Sequence, residues 1–464
     1  MKKFSYPLFQ VEQMTTLGSD LDSCIEWCDR SGQDLINQQL KGEHRLQALL
    51  PNGLYWTYGT APAEGSTFEY LTLARTQISG AVRAQDQQVA LVADRAELLD
   101  ALFSALLADC YRLPSFKKDA RPQQNLRIAL IGPITAERVA QRLAEAEGNA
   151  YARYLTELPA NELNPWSYRE LVEELAEAEG WDCRVYRYKE LEQMGAGAFL
   201  AVARGSAHKE ASIVRIHYHG DHDSVETVSL VGKGITMDTG GYNLKTAGMF
   251  GMNADMNGSA IVLGNLLAAT RRGAAVNLTG WLAIADNHIG PAAYHVNELI
   301  RALNGTTIEV VDTDAEGRMV LADTLTLASR EHPKAVIDFA TLTGSCVAAL
   351  STRYSGVFTN QEAWFLPLIE SGKQSGERVW PFPIDADYDE HINSTVADIA
   401  QCHPGKSSDH IDAARFLSRF IEANVPWVHV DLSAAHHKTG LAHVPTAVTG
   451  FGVRFTQNLL KMLF

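Results

Sequence analysis

Apolar residues along the chain form two kinds of pattern, short continuous runs typical of buried strands and longer runs with helical spacing. After about residue 165 the two patterns alternate. This alternation predicts an α/β fold whose larger, C-terminal part holds a mostly parallel central sheet flanked by helices. The predicted strands are 126–131, 183–188, 212–217, 228–231, 276–285, 308–311, 335–339 and 427–432, and the predicted helices are 98–113, 136–147, 169–179, 259–272 and 321–329.

A segment rich in proline and asparagine, ELPANELNP at 157–165, separates two parts of the chain. Proline interrupts helices and biases the preceding residue toward extended backbone. The sequence therefore predicts two domains, an N-terminal α/β domain over residues 1–155 and a larger C-terminal domain over residues 156–464.

The composition excludes several classes of protein. Forty Lys and Arg residues against 55 Asp and Glu give the 464-residue chain a formal charge of −15, which disfavours a nucleic-acid partner. The six cysteines are scattered too widely for a disulfide framework. The sequence contains no apolar run of about 18 residues and no apolar segment behind its first lysines, so we expect no membrane span and a cytoplasmic location.

Two segments carry the candidate chemistry. VGKGITMDTGG, followed by NADMNG, contains Asp238 and Asp255, and VDTDAEGR contains Asp314 and Glu316. Both segments are interpreted as glycine-containing loops just beyond an apolar strand, where glycine lets the backbone approach a ligand closely. Four crowded carboxylates need cations to offset their repulsion. They suit Mn²⁺, Mg²⁺ or Zn²⁺, and their number favours a two-metal site.

Each of these residues also has a plainer interpretation. DTDAEGR could be a solvated acidic turn with Asp314 as the N-cap of the following helix. Arg318 favours the metal interpretation, because a cation is unfavourable at a helix N-terminus unless it serves an anion. Lys233 could be an exposed loop cation, since a lysine coordinates a metal only as the neutral amine. Lys245 could simply neutralise excess carboxylate.

VGKGITMDTGG with NADMNG, and TDAEGR with MVLADTL, resemble the signatures of the leucyl (cytosol) aminopeptidase family of two-metal peptidases. The resemblance extends from about residue 157 to the C-terminus, whereas the first 150 residues are not diagnostic. It assigns catalysis to the C-terminal domain and a regulatory or oligomerisation role to the N-terminal domain. Further segments that resemble the family are ELPANELNP, MGA at 194–196, ATLTG at 340–344, VW at 379–380 and TGFG at 449–452.

The resemblance implies two divalent ions per subunit, Mn²⁺ or Zn²⁺. The tighter ion would be bound by Lys233, Asp238, Asp255 and Glu316, and the more exchangeable ion by Asp238, Asp314 and Glu316. Lys245 would polarise the scissile carbonyl, and Arg318 would hold a bicarbonate. Met252, Thr341 and Gly344 would line the side-chain pocket.

The activity implied by the resemblance is hydrolysis of the N-terminal peptide bond of peptides through attack by metal-bound hydroxide. Uncharged N-terminal residues such as Leu or Met would be preferred, and the subunits would form a hexamer. Two features depart from the family pattern. The stretch from Lys245 to Asp255 is one residue shorter, and Asp312 stands where the family usually has Asn. Neither removes a ligand, but the first could reshape the pocket and the second adds charge beside the metals.

Two alternative functions come from other classes. HYHGDH, with His217, His219, Asp221 and His222, matches the HxHxDH motif of metallo-β-lactamase-type zinc hydrolases. That fold needs a helix just after the motif, whereas VSLV at 228–231 predicts a strand, so a polar turn is favoured, with His217 and His219 on one strand face. The other alternative is a DNA-binding architectural protein, since some relatives of the family bind DNA. The negative charge argues against it.

Overall fold

The computed structural model describes residues 3–18, 20–29, 45–120, 122–403, 405 and 407–464. Its strands are β1 Phe9–Met14, β2 Ser23–Asp29, β3 Arg45–Leu49, β4 Tyr55–Ala61, β5 Gln88–Val92, β6 Leu126–Ile131, β7 Asp182–Arg187, β8 Ser212–Tyr218, β9 Thr227–Asp238, β10 Asn277–Asn287, β11 Leu299–Arg301, β12 Thr307–Glu309, β13 Ala335–Ala340, β14 Ser355–Thr359, β15 Val379–Pro381, β16 Ile399–Ala400 and β17 Trp427–Asp431.

The α-helices of the described residues are α1 Thr67–Ile78, α2 Ala96–Cys110, α3 Ala136–Glu157, α4 Pro165–Glu179, α5 Tyr188–Met194, α6 Gly197–Ala203, α7 Asn257–Arg272, α8 Glu316–Arg330, α9 Gly344–Leu350, α10 Phe365–Ser375, α11 Asp409–Ser418 and α12 Val453–Leu463. Short 3₁₀ helices span Met252–Ala254, Ser351–Arg353, Glu362–Trp364 and Ala386–Ile392. Within the described ranges, no helix is long and apolar enough to cross a membrane.

The larger sheet has eight strands in the order β15-β14-β17-β13-β9-β10-β8-β7. Its four central strands, β17, β13, β9 and β10, are parallel, while β14 and β8 pair antiparallel on either side. Alternate residues of β10 face two cores, because side chains along a strand point to opposite faces. Leu282 and Ile284 pack with α7, and Trp281 and Ala283 pack with α8. The predicted α/β fold, with a central sheet flanked by helices, is confirmed.

The smaller sheet, near the N-terminus, has six strands in the order β1-β6-β5-β2-β4-β3, all parallel except the edge strand β3. Helices α1 and α2 bury its apolar side chains, and Leu102 of α2, for example, shares a core with Leu91 and Leu130 of the sheet. A third sheet joins β11, β12 and β16. The run predicted as a strand at 308–311 contributes to this third sheet, and its observed strand is Thr307–Glu309.

Helix α3 links the two large sheets. It is 22 residues long and packs closely on α7, because a Cβ on Gly148 would lie only 2.2 Å from the carbonyl oxygen of Gly264. The sequence predicts this helix only to residue 147. The predicted domain boundary at 155/156 lies in its last turn, and the division into domains stays a prediction.

Strand β9 differs most from its prediction, which ended it at residue 231. The strand continues through Gly232 and Gly234 to Asp238. A Cβ on Gly232 would lie 2.4 Å from the Cα of Ser259, at the start of α7. The glycines therefore let a helix approach a strand. Residues 232–238, interpreted as part of a loop beyond the strand, belong to the strand, and the loop begins only after Asp238.

Candidate metal centre

Three predicted metal ligands meet at the carboxyl end of the central strands. Asp238 is the last residue of β9, Asp255 follows the 3₁₀ turn Met252–Ala254, and Glu316 begins α8. One carboxylate oxygen from each lies within 4.8 Å of those of the other two, and all three side chains are buried. In open α/β sheets, ligands bind at this edge, where helices begin beside the ends of parallel strands.

Lys233 lies within β9, and its side chain is only 3% exposed. Its Nζ is 2.7 Å from Asp255 Oδ2 and 2.9 Å from Glu316 Oε1. It also donates a hydrogen bond of 3.1 Å to the carbonyl of Thr341. A Cβ on Gly317 would lie 2.8 Å from this Nζ, so the first turn of α8 needs glycine there. The interpretation of Lys233 as an exposed loop cation is wrong.

Lys245 lies on the loop that follows β9. Gly240 and Gly241 both have positive φ, at 84° and 63°, which turns the chain back sharply. The Lys245 Nζ is then 2.8 Å from Asp238 Oδ2 and 2.5 Å from Asp314 Oδ1. The side chain of Lys245 is 17% exposed and that of Asp314 is 32% exposed. This ion pair therefore faces the opening of the site.

Burial and mutual repulsion disturb the carboxylates. Burial, followed by the charge of Asp238, raises the pKa of Glu316 well above its usual range. Burial also raises the pKa of Asp255, although Lys233 opposes the shift. For Lys233 itself, burial disfavours the charged form, but Asp255 and Glu316 outweigh it and raise the pKa of the amine. Close, buried charges therefore set the protonation of Glu316, Asp255 and Lys233 together.

The donor set fits a divalent cation. Glu316 Oε2 is buried and accepts no hydrogen bond from any residue that the structure describes. A buried acceptor without a partner is costly, and a cation would satisfy it. Together with the adjacent oxygens of Asp238 and Asp255, it supplies the hard ligands that Mn²⁺, Mg²⁺ or Zn²⁺ accepts.

Asn287 supports the cluster and was missed by the sequence analysis. Its Nδ2 donates to Asp238 Oδ1 at 2.9 Å and to the carbonyl of Thr313 at 3.0 Å. The amide of Gly240 donates to the same Asp238 oxygen at 2.9 Å. Because both bonds engage Oδ1, the other oxygen of Asp238, Oδ2, remains available to the site. In the sequence, Asn287 is visible only as a polar residue at the end of an apolar strand. Its contact with Asp238 follows from the pairing of β10 with β9.

Gln401 is a second supporting residue that the sequence analysis missed. Its Oε1 accepts hydrogen bonds of 3.1 Å from the amides of Val311 and Asp312, and its Nε2 donates to Ala315 O at 3.0 Å. Asp312 Oδ1 accepts from the amide of Asp314 at 2.9 Å. The TDAEGR segment is thus a fixed turn rather than a solvated loop.

Arg318 lies in the first turn of α8 and is 2% exposed. Its Nη2 donates to Asp409 Oδ1 at 2.7 Å, and its Nη1 donates to the carbonyl of Gln401 at 3.1 Å. The N-cap of α8 is Ala315, so the interpretation of Asp314 as the N-cap is wrong. The anion that Arg318 contacts in this structure is Asp409.

A cavity of about 760 Å³ opens over the cluster. Met252, Thr341 and Gly344, predicted to line the side-chain pocket, all line it, as does the fully exposed Phe250. Thr341 Oγ1 also donates to Asp255 Oδ1 at 2.8 Å. The pocket predicted from the sequence and the carboxylate cluster therefore share one cavity, and the roles of these residues stay predictions.

The histidine-rich segment lies at the other end of the sheet. His217, on β8, lies beside the start of β10, where its Nδ1 bonds Thr279 Oγ1 at 2.9 Å. Asn287, beside the carboxylate cluster, is the last residue of β10. Eight residues of strand separate the two positions, which is about 26 Å. His219 bonds Asp182 at 2.8 Å instead of joining a third ligand. The metallo-β-lactamase-type alternative is not supported.

Comparison with known proteins decides the family. The model of the cytosol aminopeptidase family, catalytic domain, matches residues 150–456. The chain belongs to this family. It is a metal-dependent aminopeptidase of the leucyl aminopeptidase type. The resemblance predicted from the motifs is confirmed, and the DNA-binding architectural alternative is not supported.

Similar proteins span most of the chain. A probable cytosol aminopeptidase of Syntrophotalea carbinolica is 38% identical over 79% of this chain and 75% of its own length. One of Gluconobacter oxydans is 34% identical over 91% of this chain and 88% of its own. Among solved structures, the bottromycin maturation enzyme BotP in complex with Mn is 30% identical, covers 96% of this chain and 99% of its own, and has a TM-score of 0.85.

Proposed function

We propose that the cavity over the cluster releases uncharged N-terminal residues, such as Leu or Met, from peptides. The observation that carries this proposal is the group of three buried carboxylates, with a Glu316 oxygen that has no partner among the described residues, at the floor of a 760 Å³ cavity. The aminopeptidase family supplies the reaction class, and the cavity residues supply the preference.

Two divalent ions, Mn²⁺ or Zn²⁺, are proposed to bind here. Oxygen ligands favour Mn²⁺, which the structurally similar BotP carries, and an amine ligand also suits Zn²⁺. When bound, such a pair supplies Lewis acidity and an activated water at neutral pH. The residues that would hold the ions are Lys233, Asp238, Asp255, Asp314 and Glu316, and Asp238 and Glu316 would serve both ions.

Lys245 and Arg318 are the proposed catalytic residues. Asp238 and Asp314 would hold a metal ion, and the partly exposed ammonium of Lys245 beside them would then donate to the carbonyl oxygen of the scissile bond. Arg318 lines the cavity, and its buried Nε donates no hydrogen bond within the described part of the chain. That unused donor supports a bicarbonate site at Arg318.

The walls of the cavity support the preference for uncharged residues. Met252, Leu342 and the methyl group of Thr341 present apolar surface, and Gly344 leaves room beside them because a Cβ there would meet no atom within 4 Å. Phe250 lies in the shortened stretch before Asp255 and adds an aromatic ring at the wall. An uncharged side chain would bury its apolar surface against this wall, whereas a charged one would lose hydration there.

A panel of substrates tests the proposal. Enzyme freed of metal and reloaded with Mn²⁺ or Zn²⁺ is assayed on amides of Leu, Met, Asp and Lys, and on N-acetyl-Leu amide. We expect turnover of the Leu and Met amides and none of the acetylated one. Asp255→Asn should lose an ion and activity, whereas the matched control Glu226→Gln, 61% exposed at the opposite end of the sheet, should keep both. Comparable turnover of blocked and free substrates would contradict the proposal.

We further propose that residues 156–464 form the catalytic domain, that residues 1–155 form a regulatory or oligomerisation domain, and that the subunits assemble into a hexamer in the cytoplasm. The two large sheets and the family match from residue 150 support the division. Light scattering on the purified protein measures the assembly, and a monomer at micromolar concentration would contradict it.

A further inference from the structure

A second cavity, of about 780 Å³, lies where the N-terminal helices meet the larger sheet's helices. Helices α1 and α2 form one side, and α3, α10 and α12 form the other. None of its lining residues lines the cavity of the metal centre. The proposed aminopeptidase reaction uses none of the residues that line this second cavity.

Arg454, at the start of α12, lines this second cavity and is 2% exposed. Its Nε, Nη1 and Nη2 donate no hydrogen bond to any described residue. Nε has a long ion pair, 3.5 Å, with Glu145 Oε2. A buried guanidinium normally satisfies its donors, because each unpaired buried donor is costly. Arg454 is therefore short of an acceptor.

The neighbouring carboxylates are already engaged. Arg142 donates to both oxygens of Asp100, at 2.7 and 2.8 Å, and to Glu145 Oε2 at 2.5 Å. Glu377 Oε2 accepts hydrogen bonds from the amides of Gly452 and Phe455, at 2.9 and 2.8 Å. Glu97, which also lines the cavity, pairs with Arg95 at 3.6 Å. These contacts leave the donors of Arg454 for a ligand.

Other groups make the same cavity attractive to an anion. Arg138 lines it from the first turn of α3, a 22-residue helix whose N-terminus carries partial positive charge. Behind Arg454, His443 is buried with an unpartnered Nδ1 among the described residues. Burial and then the arginines around it, Arg454 first, hold the pKa of His443 well below its usual value. The cavity lining thus carries Arg138, Arg142 and Arg454 against Glu97, Asp100 and Glu145, and hydrogen bonds from Arg142 already hold Asp100 and Glu145.

We propose that the second cavity binds a small oxyanion, whose oxygens accept hydrogen bonds from Arg454 and Arg138. The shared chemistry is that of a phosphate or carboxylate group, supplied by inorganic phosphate or by a small metabolite. Helix α3 extends from this cavity for about 33 Å, and its last turn carries Thr156 to the wall of the catalytic cavity. The bound anion would tie the start of α3 to α12.

Calorimetry on the metal-loaded enzyme tests the proposal. An amino-acid hydroxamate first fills the catalytic cavity, so that anions titrated afterwards do not report on the metals or Arg318. Inorganic phosphate, sulfate and citrate are then titrated separately. We expect saturable binding of at least one of them at one site per chain. Binding of phosphate and sulfate identifies the free ion as the source, and binding of citrate alone identifies a carboxylate metabolite.

Variants locate the binding site. Arg454→Met should weaken binding at least tenfold, and Arg138→Ala at least threefold. The matched control Arg271→Met should leave affinity unchanged, because Arg271 pairs with Glu147 and Glu179 outside this cavity. No saturable binding to the unmodified enzyme, or equal binding by Arg454→Met, would overturn the proposal.

A crystal soaked in selenate provides a measurement that does not depend on the folding of Arg454→Met. Anomalous scattering should place selenium within hydrogen-bond distance of Arg454. Its absence from this cavity in a crystal that holds selenate elsewhere would overturn the proposal. If Arg454→Met does not fold, Arg138→Ala replaces it as the test, because Arg138 is exposed. An unchanged anion affinity of Arg138→Ala would then overturn the proposal.

Discussion

Lys233 and Lys245, the two lysines of the candidate metal centre, contact carboxylates in different surroundings. The inner half, Lys233 with Asp255 and Glu316, is closed off, since the lysine side chain is 3% exposed. The outer half, Lys245 with Asp314, faces the cavity, with these side chains 17% and 32% exposed. Burial strengthens electrostatic interactions and slows exchange with water. The same pairing therefore supports a fixed ligand in the inner half and a movable donor in the outer half.

The backbone explains the difference. Lys233 lies on β9, where it pairs with Ala283 of β10, and the preceding Gly232 pairs with Phe339 of β13, so the paired strands set its position. Lys245 follows two glycines with positive φ on a loop, and its amide donates to Thr239 O at 3.0 Å. Position on a strand or a loop thus separates two residues of identical chemistry.

Removal of the ions should have the largest effect, because it empties both halves. We expect exhaustive chelation to abolish peptide hydrolysis, and Mn²⁺, Zn²⁺ or Co²⁺ to restore part of it. Activity and metal content are measured together, with circular dichroism as the control for folding. Full activity in metal-free, folded protein would show that neither half of the cluster holds an ion needed for hydrolysis.

Lys245→Ala tests the outer half. The variant should keep both ions and lose about 10²–10³-fold in kcat, the usual result of removing one donor to an oxyanion. Added metal should not restore it, because the missing group acts on the substrate. Lys334→Ala, which removes a lysine paired with Glu226 at 2.8 Å, is the matched control and should keep full activity. Loss of an ion from Lys245→Ala would reverse the assignment of the two lysines.

Lys233→Ala tests the inner half. Changing a residue that only supports a metal ligand lowers metal affinity about 10–100-fold, so removing a ligand should cost at least as much. We expect one ion to bind more weakly and activity to recover partly at high metal concentration. Emission spectroscopy for metal content, with kcat at several metal concentrations, checks this. A variant that binds both ions with unchanged affinity would show that Lys233 is not a ligand.

The pH dependence of metal binding should also come from the inner half. Burial raises the pKa values of Asp255 and Glu316, and these carboxylates in turn raise the pKa of Lys233. Ligation requires the deprotonated forms, so binding should release protons, and affinity should fall as the pH falls. The expected change is about tenfold per pH unit for each proton released. Calorimetry in buffers of different ionisation enthalpy counts these protons, and binding without proton release would contradict the assignment.

The smallest effect is expected far from both halves. Changing His217, His219 and His222 together to Ala removes the bonds to Thr279 and Asp182, at a cost of about 1 kcal/mol in the free energy of unfolding. Metal content and kcat should stay near those of the unmodified enzyme. Loss of an ion from the folded triple variant would revive the zinc-hydrolase alternative.

The bounds of strands were predictable where apolar residues dominate a short run of the sequence. The strand predicted at 126–131 has the same bounds in the structure, and that predicted at 335–339 ends one residue later. Strands buried on both faces read as continuous apolar runs, which pattern analysis detects directly. Helix α3 was predicted ten residues short, because its last turns bury polar side chains. Asn149, for example, donates to the carbonyls of Thr449 and Gly450, both at 3.0 Å, far along the chain.

The sequence by itself determined the family and the reaction class, and it named the acidic residues of the candidate metal centre. Asp238, Asp255, Asp314 and Glu316 could be named because carboxylates beside glycines and strand ends form a local pattern. Supporting residues such as Asn287 could not be named, since its partner Asp238 lies 49 positions away. Only the pairing of β10 with β9 brings the two side chains together.

Only the tertiary structure decided which lysine is buried and which faces the cavity. In the sequence, Lys233 and Lys245 are two cations beside acidic residues, and both had plain interpretations. Their surroundings come from helices α7 and α8, which begin beside β9 and enclose Lys233 through Gly258 and Gly317. Exposure and charge spacing depend on how distant segments pack, and a linear pattern does not encode the distances that set them.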